Sequence, residues 1–169
     1  MGEIIIETER LVIREFETEG SDELYRIYSE SDTRFLQPLS EDREEELEKL
    51  KSYIQYVYGF YGFGLWAVCL RETGELIGRC GLQVMFIGDT GEYEMGYMIS
   101  GKYQRLGYGR EAVQAVIHYA EEELDAPRVV LQIDSDNRTS IQFAEQQGFK
   151  KMKDISEEDR QTSLYIYEL

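Results

Sequence analysis

The stretch Tyr97-Met98-Ile99-Ser100-Gly101-Lys102-Tyr103-Gln104-Arg105-Leu106-Gly107-Tyr108-Gly109-Arg110 constrains this chain more than any other. A β-rich run enters a tight loop, and the loop opens a helix with Val113, Val116, Ile117, Ala120 and Leu124 along one side. Free backbone N–H groups at a helix start, with the helix dipole behind them, make an anion site. Glycines at 107 and 109 keep side chains out of the path of an approaching pyrophosphate. Arg105 and Arg110 add positive charge. The third glycine of a dinucleotide fingerprint and the Gly-Lys-Ser/Thr of a P-loop are both missing, which argues against NAD or ATP as the ligand.

The surrounding pattern fixes the setting of this loop. Residues 9–16 alternate as a first strand, with Leu11 and Ile13 on one face and Val12 and Phe16 on the other. Ser21 is placed to cap a short helix carrying Leu24, Ile27 and Tyr28. A second helix is predicted from Ser40, with Glu41 and Asp42 near its positive end and Leu47, Leu50, Ile54 and Val57 as its stripe. Three strands then form an antiparallel meander: 65–70, 76–86 and 92–100, joined by turns at 72–75 and 88–91. After the loop and its helix come a buried strand over 128–133 and a short helix over 137–147 ended by Gly148. Two closing strands follow, the last over 164–169. The expectation is one α/β (α+β) domain over residues 1–169, with a mixed, mostly antiparallel sheet of about seven strands and about four helices.

At 169 residues the chain is long enough for one buried core. Its 34 acidic and 18 basic residues give a formal charge of −16. Such a surface excludes sequence-independent nucleic-acid binding and disfavours anionic membranes. It attracts cations at long range, among them polyamines, aminoglycosides and basic peptides, or it serves solubility alone. No apolar run approaches the roughly 20 residues of a membrane helix, and the first residues lack the basic and apolar regions of a signal peptide. Cys69 and Cys80 make no disulfide framework and read as small core residues of a protein in a reducing cytoplasm. A turn centred on Thr73-Gly74 would place Cys69 opposite Gly78.

Gln104-x-x-Gly107-x-Gly109 after a strand resembles the coenzyme A loop of the GNAT superfamily of N-acetyltransferases. Thr8-Glu9-Arg10-Leu11-Val12-Ile13-Arg14 resembles that family's opening strand, Glu94-Met95-Gly96-Tyr97 the strand before its loop, and Asn137-x-x-Ser140 with Gly148-Phe149 its last helix and exit. The matches run in family order from residue 8 to 149, and the Rim-like subgroup that acetylates ribosomal-protein N-termini is the most similar.

The resemblance implies acetyl-CoA as co-substrate, its pyrophosphate on the backbone of Arg105, Leu106, Gly107, Tyr108, Gly109 and Arg110. Its pantetheine would pair with Tyr97, Met98 and Ile99, with Asn137 holding it from the other side and Gln104 and Ser140 completing the cofactor set. Leu106 stands where the family often has a basic residue, and Arg105 can compensate. The acceptor is an amine that arrives largely protonated, because a lysine-type group has a pKa of about 10.4 and an N-terminus about 8. A base must deprotonate it before it attacks the thioester. Glu94 matches the family's base, and a backbone N–H near Met98 its oxyanion donor. Many relatives carry a tyrosine in the last helix as the acid, but the matching position is Ala144. Ser140 is the alternative, with helix capping as its plain role, and another of the 13 tyrosines is open.

His118 reads as a surface residue, and no Cys/His cluster suggests a metal. The stretch with Glu41, Asp42, Glu44, Glu45, Glu46 and Glu48, followed by Tyr53, Tyr56, Tyr58, Phe60, Tyr61, Phe63 and Trp66, would suit a cationic acceptor or is simply a solvated face and a core. A basic protein N-terminus and a small cationic amine both fit, and relatives are often homodimers. A non-catalytic coenzyme A sensor on the same fold is the competing reading.

Overall fold

The computed structural model describes residues 2–169. One sheet of eight strands organises the chain, in the order β1-β2-β3-β4-β5-β6-β8-β7. The strands are β1 (Ile4–Glu7), β2 (Leu11–Arg14), β3 (Leu65–Leu70), β4 (Leu76–Ile87), β5 (Thr90–Ile99), β6 (Arg128–Asp134), β7 (Lys150–Glu157) and β8 (Arg160–Glu168). Every neighbouring pair is antiparallel except β5 and β6. The helices are α1 (Gly20–Ser29), α2 (Arg43–Ser52), the three-residue α3 (Gly59–Tyr61), α4 (Tyr108–Glu122) and α5 (Arg138–Gln146). The expected mixed, mostly antiparallel architecture is therefore present.

The sheet separates two apolar layers. On one side Trp66, Val68, Cys80, Leu82, Met95 and Ile99 pack with Val113, Val116 and Ala120 of α4. On the other, Ala67, Cys69, Leu76 and Met98 pack with Leu24 and Ile27 of α1 and with Leu50 of α2. This two-sided burial follows from the alternation along β3–β5, in which successive side chains point to opposite faces.

Several local expectations are corrected. The sheet has eight strands rather than seven, because the short edge strand β1 pairs with β2. Ser21 does not cap α1. It lies buried inside the helix, whose N-cap is Glu19 with no side-chain bond. The second helix starts at Arg43, not Ser40, because Asp42 accepts from the Glu44 N–H at 2.9 Å. Ser40 instead receives the Asp42 N–H on its hydroxyl. Beyond α2 the backbone widens into a π-helical turn, Tyr53–Tyr58, which shifts the helical phase and buries Tyr58 while Val57 stays half-buried. Cys69 stands opposite Leu76, not Gly78, because a bulge between Val68 and Cys69 shifts the register. Both cysteines are free and buried, and burial pushes the Cys80 thiol up to about 12.

Candidate active site

The site begins where the parallel pair β5–β6 opens. β5 and β6 pair at Tyr93–Val129 and Glu94–Val130 and no further. β5 nevertheless runs on to Ile99, held by β4, and β6 to Asp134, held by β8. The two strands fork after Glu94, and the backbone of residues 95–99 faces the gap without a strand partner. Below the fork, the carboxylate of Glu92 is buried and Arg128 Nε donates to it at 3.0 Å. This ion pair pins β5 to β6 at the closed end of the wedge.

At the open end stands the glycine loop. Ser100 N–H donates to the Ile77 carbonyl at 2.7 Å, a 3₁₀ turn spans Gly101–Tyr103, and Gln104 Nε2 donates to the Ile99 carbonyl at 2.9 Å. Gln104 therefore closes the loop onto β5 through its side chain. Arg105 takes φ 62°, a left-handed conformation that L residues adopt at a cost of about 1 kcal/mol. Gly107, at φ 86°, is the N-cap of α4 and brings no side chain to the first N–H groups. Those donors remain available to an anion.

The opening strand holds this loop in place. Arg10 Nε donates to Glu111 Oε2 at 2.7 Å, its backbone N–H to Glu111 Oε1 at 2.9 Å, and its Nη1 to the Leu106 carbonyl at 2.9 Å. Thr8 Oγ1 also reaches Glu111 Oε1 at 2.6 Å, and the Arg10 guanidinium lies 4.3 Å from the Tyr108 ring centre. Burial would raise the Glu111 carboxyl, but the bonds from Thr8 and Arg10 outweigh it and hold the group below its ordinary range. The Thr-Glu-Arg signature is thus a clamp on the loop, a role the sequence reading did not assign.

Across the gap lies α5. Asn137 caps it, its Oδ1 accepting from the Ser140 N–H at 3.2 Å. Capping thus falls to Asn137 and leaves the Ser140 hydroxyl free for another partner, which is the Tyr97 hydroxyl at 2.6 Å. The Tyr97 ring packs 5.0 Å from Phe143. Burial pushes the Tyr97 phenol up to about 12, with the Ser140 bond acting in the opposite direction. Ala144 is fully buried in the core. Its position points into the sheet, so the phenol nearest Ser140 comes from β5 instead.

Glu94 faces the other side of the sheet. It is half-buried, opposite Gln83 on β4 and Val130 on β6, and no hydrogen bond or ion pair reaches its carboxylate among the described residues. Burial raises its pKa, and Arg160 offsets part of the rise. A carboxylate at the fork and a hydroxyl pair beyond it thus lie on opposite faces of one slot.

The aromatic stretch before β3 is mostly structural. Tyr53 accepts the Leu65 N–H at 2.7 Å, Tyr58 donates to the Leu65 carbonyl, and Phe63 and Trp66 are core. Tyr56 and Phe60 are exposed, as are Glu41, Glu44, Glu45 and Glu48. His118 is exposed on α4, grouped with Glu121 and Glu122 on its solvated side.

A family model described as an acetyltransferase (GNAT) domain matches residues 10–150. The chain belongs to the GNAT acetyltransferase family. It is an acetyltransferase by that membership. Among curated relatives, the N-acetyltransferase p20 of Bacillus licheniformis is 27% identical over 150 residues, 85% of this chain and 81% of p20. The protein YkkB of Bacillus subtilis is 31% identical over 105 residues, which spans 62% of this chain and 61% of YkkB. The fold superposes on RimL, a ribosomal L7/L12 alpha-N-protein acetyltransferase, with a TM-score of 0.83 and 17% identity, covering 100% of this chain and 96% of RimL. RimL has also been solved in complex with coenzyme A. No helix among the described residues is long and apolar enough to cross a membrane.

Proposed function

We propose that the chain moves an acetyl group from acetyl-CoA to a primary amine by direct attack in a ternary complex. The observation that carries this is the fork after Glu94–Val130, which opens toward a helix start whose N–H groups no side chain caps. The pyrophosphate would rest on residues 105–110, and the pantetheine would run along Tyr97, Met98 and Ile99 like an added strand, with Asn137 opposite. Whole-chain action as one domain in a reducing cytoplasm is consistent with this reading.

Glu94 takes one proton from the ammonium of the acceptor, directly or through water, and later releases it to solvent. The amine nitrogen then bonds to the thioester carbon, and a backbone N–H near Met98 holds the oxyanion. The C–S bond breaks as the carbonyl re-forms. The second proton lost by nitrogen passes to the departing thiolate, which the Ser140 hydroxyl receives by hydrogen bond. Tyr97 stays neutral across the working pH range and orients that hydroxyl. A raised carboxyl is a better proton acceptor at neutral pH than an ordinary one, which is what the burial of Glu94 supplies.

Thiol release from acetyl-CoA against a panel of amines tests the proposal. Turnover well above the amine-free background, lost in Glu94→Gln, is the expected result. If acetyl-CoA stabilises the fold while every amine is inert, the chain is a coenzyme A sensor. If acetyl-CoA fails to bind, the reading of the loop is wrong.

A further inference from the structure

We propose that Arg79 anchors a carboxylate on the acceptor, so that the amine substrate is itself an acid: an amino acid or short acidic peptide rather than a polyamine. This inference rests on the transferase reading above and adds the substrate class. It starts from an imbalance of charge. Four arginines are half-buried: Arg14, Arg26, Arg79 and Arg128. Arg14 pairs with Glu17 at 3.7 Å, Arg26 with Glu75 at 3.4 Å and Glu30 at 3.5 Å, and Arg128 with Glu92. Arg79 alone among them has no carboxylate within 4.0 Å among the described residues. In a chain with 34 acidic residues that vacancy is unusual. A guanidinium half out of water and without an anion carries a desolvation cost, which a bound carboxylate would offset through a bidentate pair.

Its place in the sheet directs it toward the acceptor. Arg79 stands between Ala67 on β3 and Met98 on β5, on the face that carries Gln83 and Glu94. Its Nη2 donates to the Tyr28 hydroxyl at 2.5 Å, and that hydroxyl donates to the Gln37 carbonyl at 3.1 Å. The guanidinium carbon lies 5.6 Å from the Tyr28 ring centre. One of its five N–H donors is thus used, and the guanidinium is tied through Tyr28 to the segment that links α1 to α2. The other arginines without a carboxylate among the described residues, Arg105, Arg110 and Arg138, are exposed around the glycine loop and α5, where coenzyme phosphates would sit. Arg79 is on the opposite side of the slot and serves a different anion. Arg79 and Gln83, the partner of Glu94, are four positions apart on β4, so base and anchor stand about 13 Å apart along the strands. That span suits an ω-amino carboxylate or a di- or tripeptide.

Matched acceptor pairs test this: ω-amino carboxylates of increasing length against their amides, and Ala-Glu-amide against Ala-Gln-amide. Wild type is expected to favour the best carboxylate over its amide by at least about tenfold in kcat/KM, equivalent to about 1.4 kcal/mol. Arg79→Gln should bring that ratio near one, with Arg79→Lys between and the acetyl-CoA KM within about twofold throughout. A wild-type ratio near one, or the same preference in Arg79→Gln, overturns the inference. Should no acceptor turn over, thermal stabilisation of the coenzyme A complex by the same carboxylates decides. Stabilisation of wild type but not Arg79→Gln supports the anion site even though the transferase reading has failed, and no difference overturns it.

Discussion

Glu94 is held between two demands. Burial raises its folded pKa above the unfolded value of about 4.3, so the group binds more proton folded than unfolded. Its ionised form therefore destabilises the fold at neutral pH, and the penalty fades as pH falls below the unfolded pKa. Glu94→Gln should raise the melting temperature at pH 7, leave it unchanged near pH 3.5, and lower kcat by about 10²–10⁴. The acid limb of the wild-type pH–rate profile should lie above the ordinary carboxylate range and vanish in the variant. A melting temperature that drops at pH 7 would mean Glu94 has a structural partner. The two loop glycines differ in kind. A Cβ at Gly107 meets Arg10 Nη2 at 3.1 Å with φ at 86°, whereas one at Gly109 meets only ordinary contacts, Phe143 Cζ at 3.5 Å and Ile99 Cγ1 at 3.7 Å. Gly109→Ala should thus fold as well as wild type, helped by alanine's better helix propensity. Its acetyl-CoA KM should nonetheless rise about tenfold, because the methyl group crowds the N–H groups meant for phosphate. Calorimetric titration with coenzyme A checks this, and unchanged affinity would move the pyrophosphate elsewhere.

Elements were legible where periodicity and turn chemistry agreed. The β3–β5 meander, α4 and the stop of α5 stand where alternation, helical spacing and Gly148 place them, whereas the cap of α5 is Asn137 rather than Ser140. What escaped depended on partners distant in sequence. The run Ile4-Ile5-Ile6 has no alternation, so only β2 defines it as a strand. The π-helical turn leaves a stripe that reads as continuous helix. The Tyr97–Ser140 pair and the Glu92–Arg128 pair join residues 43 and 36 apart, and spacing carries no trace of either. The same holds for the clamp, which ties Thr8 and Arg10 to Glu111 across a hundred residues. Arg10→Ala should release the Leu106 carbonyl and weaken acetyl-CoA binding by about five- to tenfold while kcat at saturation changes little. Arg10→Lys should restore only part of this, because the ammonium lacks the fork geometry. A fall in kcat with unchanged KM would assign Arg10 to chemistry instead. At the closed end of the wedge, Glu92→Gln should destabilise the fold by about 3 kcal/mol in urea denaturation, near the low end for a broken buried pair because Arg128 keeps some solvent.

At the scale of the whole molecule, charge is what departs most from an ordinary domain. The ion pairs that bridge its surface, such as Arg34–Asp32, Arg43–Asp22 and Lys51–Glu48, are largely exposed and each contributes little. The excess of acidic side chains is left to repel itself in the compact state, at distances comparable with a Debye length of about 10 Å at 0.1 M salt. Screening removes that repulsion faster than it removes the short contacts of the pairs. The melting temperature should therefore rise as sodium chloride goes from about 10 mM to about 0.3 M. The same screening should help an anionic coenzyme approach a chain of charge −16, while the arginines at the loop act only at close range. Stopped-flow association of coenzyme A should consequently quicken with added salt over that range, the reverse of electrostatic steering. If association instead slows from the lowest salt upward, the local field of Arg105, Arg110 and Arg138 dominates the approach, and the global acidity has no part in donor capture.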